Sequence, residues 1–132
     1  MLEHPGEVRL RLRASSFGEL AATAGRALAE LELKRVPPTA AAADVWREVT
    51  VAGRDRAALL VNWLNELIYL AETERWVGTE FALVRETPTG LAMRVKGITV
   101  DRAPSQVKAA TFHGLRIAAS DTGVQAEVVL DV

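Results

Sequence analysis

Residues 59–70 read LLVNWLNELIYL, and this apolar stretch decides the fold. Its apolar residues recur at three- and four-residue spacing and cover most of the circumference of a helix, which we predict from about Asp55 to Arg75. The stretch is shorter than the ~20 apolar residues of a membrane span, so protein is expected to cover it. We therefore predict a central core helix against which the other elements pack. Its apolar residues are Leu59, Leu60, Trp63, Leu64, Leu67, Ile68, Leu70 and Ala71.

Polar residues follow the remaining strip of this helix at helical spacing. Asn62, Asn65 and Glu66 lie on that strip. We interpret them as buried polar groups that bond to neighbouring loops. The alternative is a surface for a partner protein.

The segments before the central helix predict a strand, a helix and a second strand. Residues 8–14, VRLRLRA, alternate between apolar and charged, as a half-buried strand does. Ser16 and Glu19 have the spacing of a capping box, in which each side chain accepts from the other's main-chain N–H. The helix they open is expected to end near Leu33, before a loop to Ala43. A second strand is predicted at 46–52.

The second half of the chain is rich in strands and turns. These strands are predicted at 79–86, 91–98, 107–118 and 124–132, the third with a bend at His113-Gly114. Because they lie close together in sequence with short turns, antiparallel pairing is favoured. We predict an α+β fold: a compact single domain over residues 1–132, with mostly antiparallel sheet of about six strands packed against two helices.

Composition excludes several classes of function. The chain has 132 residues, a formal net charge of −1 and no cysteine. Disulfides and Cys-ligated zinc are therefore ruled out, and no overall basic charge marks a nucleic-acid-binding protein. No signal peptide or membrane-length run is present, so a cytoplasmic protein is expected.

An acidic corner follows from strand alternation. Glu7 lies on the arginine side of the first strand, and Asp131 lies on the polar side of the last strand. If these strands pair antiparallel, the two carboxylates share one face, with the terminal group of Val132 beside them. Three oxygen sources suit a hard divalent cation such as calcium or magnesium. The alternative is that they are solvated charges at the strand ends.

Other candidate residues are less specific. Arg9, Arg11 and Arg13 form a row that could contact phosphates, although such rows are more often solvated. Phosphate-binding loops, GxSxG and HExxH are missing. Each of the two histidines, His4 and His113, is more typical of a structural residue than of a catalytic base.

Four segments resemble the archease family over nearly the whole chain. They are Leu2-Glu3-His4 before the alternating strand, LVNWLNELIYL at 60–70, VKAATFHGL at 107–115 and the terminal Leu130-Asp131-Val132. The resemblance implies a compact α+β domain that is not itself an enzyme. It implies an activator of an RtcB-type RNA ligase, which promotes guanylylation and multiple turnover of that ligase in tRNA splicing or RNA repair. RNA would be reached indirectly, through the ligase, and no membrane is involved.

The resemblance also implies a divalent metal ion, typically calcium, at the acidic corner. The family holds it by an aspartate of an N-terminal His-Thr-Ala-Asp block and by the last two residues. The matching positions are Glu7, Asp131 and Val132, with His4, Lys108 and His113 as neighbours. This sequence has His4-Pro5-Gly6-Glu7 in that block, so glutamate replaces the aspartate.

Two rival functions remain open at this point. The first is an RNA-binding or chaperone-like adaptor that lacks the metal-dependent role. The second is a small metal-dependent hydrolase that uses Glu7, Asp131 and a histidine.

Overall fold

The computed structural model describes residues 6–34, 36, 45–104 and 106–132, in which eight elements follow one another in the predicted order, with four consecutive strands at the end. Six strands and two helices confirm the predicted fold class. The elements are β1 (Glu7–Ala14), α1 (Phe17–Leu33), β2 (Val45–Ala52), α2 (Arg56–Glu74), β3 (Trp76–Thr87), β4 (Gly90–Thr99), β5 (Ala109–Ser120) and β6 (Gly123–Asp131).

The strands form two separate three-stranded sheets, and all pairing is antiparallel as predicted. One sheet has the order β1-β6-β5 and the other has the order β2-β4-β3. The helix α1 packs mainly against β3 and β1, whereas α2 packs mainly against β5 and β3. The two helices therefore join the sheets through one shared hydrophobic core.

The helix α2 is the predicted central helix. Asp55 is its N-cap and accepts from the main-chain N–H of Ala58 at 2.8 Å. Its C-cap, Arg75, has a left-handed φ of 52°. Trp63 is fully buried, and its indole N–H donates to the Ala21 carbonyl at 2.8 Å. That bond satisfies the one polar atom of a large core side chain and links α2 to α1.

The capping of α1 differs in part from the prediction. The Ser16 hydroxyl accepts from the main-chain N–H of Glu19 at 3.2 Å, as expected. The Glu19 carboxylate, however, accepts from the Ser15 hydroxyl rather than from the main chain of Ser16. The Ser15 hydroxyl, four residues before Glu19, thus takes the place of the reciprocal half of the capping box. The helix ends at Leu33 as predicted, and most of the loop to Ala43 lies outside the described residues.

The bounds of β3 and β5 differ most from the sequence expectation. The strand β3 begins at Trp76 rather than at residue 79, because Trp76 and Val77 already pair with the end of β4. Gly78 lies inside the strand, where a side chain would overlap Val95. The strand β5 begins at Ala109 and extends to residue 120, two residues beyond the predicted end.

The predicted bend in β5 is confirmed as a bulge. Pairing with β6 stops at Thr111–Val129 and resumes at Arg116–Glu127, so residues 112–115 oppose Val128 alone. A β-bulge bends its strand and changes the direction of its side chains. Gly114 within it has a positive φ of 68°.

Candidate functional site

The acidic corner, formed by Glu7, Asp131 and Val132, lies where β1 meets β6. Glu7 pairs directly with Asp131, so both side chains leave the same face of the sheet. The main-chain N–H of Val132 donates to the Gly6 carbonyl at 2.9 Å, which continues the ladder beyond this pair. The predicted antiparallel pairing of the first and last strands is therefore present.

The strand β5 lies on the other side of β6 and fixes the acidic corner from that side. Ala109 of β5 pairs with Asp131, and the main-chain N–H of Lys108 donates to the Asp131 carbonyl at 2.7 Å. Asn65 of α2 bonds both main-chain groups of Ala110, the next residue. The position of Asp131 is thus determined on both sides, by β1 and by a strand anchored to the central helix.

Neither carboxylate of the acidic corner is neutralised by an ion pair among the described residues. Glu7 is half-buried and Asp131 is exposed, and neither has an ion pair or a side-chain hydrogen bond within that part of the chain. Like charges directly opposite each other on a sheet destabilise it. A cation between them would remove that repulsion, and carboxylate oxygens are ligands that calcium prefers.

The donor set at the corner is small. Across residues 6–34, 36, 45–104 and 106–132, no group of three or more His, Asp or Glu side chains comes together around a common point. A cation here would therefore use the two carboxylates of Glu7 and Asp131 together with an oxygen of Val132. Water would complete its coordination, as is common for calcium.

The three predicted neighbours differ in where they lie. Lys108 is adjacent to Asp131 through its main-chain bond. His113 lies in the β5 bulge and is exposed, four residues along the strand from the Ala109–Asp131 pair. It is therefore outside the row that holds the two carboxylates. His4 lies outside the described residues.

The same sheet carries an arginine face, formed by Arg9, Arg11, Arg13 and Arg116. Glu127 of the middle strand pairs with Arg11 on one side and with Arg116 on the other, so these side chains share a face. The Glu127 carboxylate accepts from Arg9 Nη1 at 3.3 Å and lies 3.9 Å from Arg11 Nε. A depression of about 580 Å³ lies beside it. Its lining residues are Arg11, Leu12, Arg13, Arg116, Ala118, Gln125, Ala126 and Glu127.

Sequence reasoning found the row on β1 but missed Arg116 and Glu127. Their alternation is visible in the sequence, but the bulge at 112–115 hides the register that brings Arg116 opposite Glu127. The strip on α2 differs in part from the interpretation, because Asn62 is exposed and both asparagines bond to strands rather than to loops. Asn62 donates to the Ala52 carbonyl at 2.8 Å, and Asn65 bonds to β5, so both stabilise the fold.

Among the described residues, no helix is long and apolar enough to span a membrane.

Comparison with known proteins agrees with this architecture. The Protein archease of Methanosarcina barkeri is 26% identical over 141 residues, which cover 99% of this chain and 93% of that protein. The Protein archease of Methanothermobacter thermautotrophicus is 32% identical over 92 residues, covering 65% of this chain and 66% of that protein.

Solved structures show the same fold. The solution structure of Methanobacterium thermoautotrophicum protein 1598 matches with a TM-score of 0.68 and 24% identity, covering 99% of this chain and 96% of that one. The crystal structure of a Thermotoga maritima archease, described as a possible chaperone, matches with a TM-score of 0.64 and 16% identity. That match covers 100% of this chain and 95% of the other.

The family match is complete along the sequence. The Archease protein family (MTH1598/TM1083) matches residues 1–132, which include the acidic corner and the central helix. This chain belongs to the archease family.

Proposed function

We propose that this protein activates an RtcB-type RNA ligase in the cytoplasm, by promoting guanylylation and multiple turnover of the ligase during tRNA splicing or RNA repair. Family membership supports this role. The observation that carries it is the direct pairing of Glu7 with Asp131, because it brings together two carboxylates that are distant in sequence and that have no ion pair within the described residues. In this proposal the protein acts on the ligase and is not itself an enzyme.

The acidic corner would hold a divalent cation, with calcium as the preferred ion. Glu7, Asp131 and an oxygen of Val132 would provide its protein ligands. When bound, the ion would supply positive charge that can interact with phosphate oxygens at the surface of the ligase. Glutamate at position 7 keeps the charge of the family aspartate and adds one methylene. Gly6, immediately before Glu7, has a positive φ of 95°, a main-chain conformation that most other residues avoid.

The role of the protein's own residues is to position this corner. The β1–β6 ladder fixes Glu7 against Asp131, and the Lys108 bond fixes the main chain of Asp131 from the other side. Because these contacts are main-chain bonds within a sheet, the corner is held in place before any partner binds. Such a preformed site lowers the conformational entropy that is lost when a partner binds.

A single-turnover guanylylation assay tests this proposal. The cognate ligase would be measured with and without this protein, across a series of calcium and magnesium concentrations and without RNA. We expect metal-dependent stimulation by the native protein. The double variant Glu7→Gln with Asp131→Asn, which preserves shape and removes both charges, should lose it.

The control variant removes two exposed carboxylates elsewhere, by Glu48→Gln with Asp101→Asn. It should stimulate the ligase as the native protein does. Full stimulation by the Glu7 and Asp131 variant, or no stimulation by folded native protein, would exclude the proposed role of the corner.

A chaperone-like adaptor is the second candidate. Large apolar side chains on β3 remain open to solvent, since Leu83 and Val84 are 46% and 47% exposed. They could contact an unfolded or aggregating client. Suppression of client aggregation that is independent of metal and sensitive to Val84→Asp would favour this role.

A further inference from the structure

The arginine face carries more positive charge than its ion pairs neutralise. Within the described residues, Arg13 and Arg116 make no ion pair, and Arg11 keeps 81% of its side chain exposed at 3.9 Å from Glu127. The shorter contact of Glu127 is to Arg9, at 3.3 Å. Glu127, which itself lines the depression, is therefore the one carboxylate paired with these four arginines in the described part of the chain.

The depression is lined by side chains of different length. Ala118 and Gln125 lie in one row with Arg13, and both are shorter than the arginines that line the depression with them. Its volume of about 580 Å³ is within the range of small-ligand sites, roughly 300–1,000 Å³. A guanidinium group binds a phosphate through two parallel N–H donors, a geometry that a lysine lacks.

The spacing of the arginines suits a chain of phosphates. Arg11 and Arg13 are two residues apart on one strand, so their Cα atoms are separated by about 6–7 Å. This is comparable to the distance between successive phosphates of an extended nucleic-acid strand. Arg116 reaches the same depression from β5, on the far side of β6.

An exposed aromatic side chain lies on the same strand as Arg116. Phe112 is 54% exposed and opens the β5 bulge. Gly114 of the same bulge lies beside the arginine face, because a Cβ added there would be 3.6 Å from Arg9 Nη1 and 3.7 Å from the Val129 side chain. A basic depression together with an exposed aromatic ring is the combination that binds single-stranded nucleic acids, whose bases stack on the ring.

We propose that the arginine face binds single-stranded RNA, with Arg11, Arg13 and Arg116 contacting its phosphates and Phe112 stacking on a base. An acidic protein segment would use the same charges but would gain nothing from the exposed ring. The choice of RNA rests on the proposed function, whereas the phosphate contacts rest on the geometry. The protein would then contact the RNA directly as well as the ligase.

Fluorescence anisotropy with a 12-nucleotide single-stranded RNA tests this proposal, with the isolated protein at 50–200 mM salt. Each phosphate contact contributes a slope of about 0.7 to the dependence of log affinity on log salt concentration. We expect Arg13→Gln with Arg116→Gln to lower that slope by about 1.4 and the affinity at least tenfold at low salt. Phe112→Ala should lower the affinity by about fivefold or more, without changing the slope.

The matched control removes two exposed arginines elsewhere, by Arg26→Gln with Arg85→Gln, and should leave both quantities close to native values. An equal loss in the control would overturn the proposal, as would salt-independent binding or no binding by the folded native protein. Equal competition by polyglutamate would overturn it in favour of an acidic protein partner. Guanylylation measured without RNA is independent of these outcomes, so failure here is distinguishable from failure of the ligase-activating role.

Discussion

Asn65 of α2 and Ala110 of β5 exchange two hydrogen bonds. The main-chain N–H of Ala110 donates to Asn65 Oδ1 at 2.8 Å, and Asn65 Nδ2 donates to the Ala110 carbonyl at 3.2 Å. One side chain therefore satisfies both main-chain groups of a residue at the start of an edge strand. Because Ala109 is the partner of Asp131, this contact connects the central helix to the acidic corner.

Replacing Asn65 should weaken the fold more than replacing its neighbour Asn62. In Asn65→Ala, two partly buried main-chain groups lose their partners, at a cost of about 1–3 kcal/mol in the free energy of unfolding. Asn62→Ala removes one exposed bond and should cost about 1 kcal/mol or less. Urea denaturation of both variants measures the difference. An equal decrease in the free energy of unfolding of both variants would show that the contact to Ala110 stabilises the fold no more than the Asn62 bond does.

The stability of the protein should depend on pH through Glu32. This carboxyl is only 3% exposed, and burial, followed by the nearby charge of Glu72, raises its pKa to about 8. The folded protein therefore retains a proton that the unfolded chain releases near pH 4.5. The protonated Glu32 carboxyl therefore contributes to the free energy of unfolding fully below that pH, and this contribution is lost as the pH rises through about 8. Each unit of difference between the two pKa values is equivalent to about 1.4 kcal/mol.

The variant Glu32→Gln should remove this dependence. Glutamine keeps the shape without a titrating proton, so the free energy of unfolding should become flatter between pH 5 and about 8 and should exceed the native value at the upper end. Urea denaturation over this range measures it, with the exposed neighbour in Glu30→Gln as the control. An unchanged slope in Glu32→Gln would show that another group causes the dependence.

Calcium should stabilise the protein through the acidic corner. A ligand at a hundredfold excess over its Kd adds about 2.7 kcal/mol to the free energy of unfolding. In the absence of cation, Glu7→Gln should instead stabilise the protein by up to ~1 kcal/mol, because it removes a like-charge pair. Thermal denaturation with calcium or with a chelator measures both effects. A calcium-dependent rise of Tm that persists in Glu7→Gln would place the ion elsewhere.

The turn between β5 and β6 should require its glycine. Gly123 has a φ of 139°, and a Cβ there would overlap the Ala14 carbonyl oxygen. Gly123→Ala should therefore cost about 1–3 kcal/mol in the free energy of unfolding. Gly90 occupies the corresponding position in the β3–β4 hairpin, where an added Cβ would be 3.2 Å from the hydroxyl oxygen of Thr87. Gly90→Ala should be the milder variant in urea denaturation, and the reverse order would contradict this account.

Much of the architecture can be predicted from the spacing of apolar residues, because that spacing shows which face of a strand or helix is buried. The alternation at 8–14 and at the last strand predicted that Glu7 and Asp131 share a face, and the ladder pairs them directly. The helical spacing at 59–70 predicted a core helix, and Trp63 and Leu64 within it are fully buried.

Features that depend on register or on distant partners could not be predicted in this way. The bulge at 112–115 shifts β5 relative to β6, and it alone brings Arg116 beside Glu127. Nothing in the local sequence of Asn65 identifies Ala110 as its partner. Glu32 carried a signal that was overlooked, since it lies four residues after Leu28 on the buried side of α1.

The strand order of the first sheet has a consequence for synthesis on the ribosome. The last strand, β6, is the middle strand, so neither β1 nor β5 has a neighbour in that sheet until β6 has emerged. Such long-range pairing is slow to form and leaves strand edges exposed meanwhile. The other sheet is complete by Thr99 and can assemble first. Emergence of β6 is thus the step at which the acidic corner and the arginine face come into existence together.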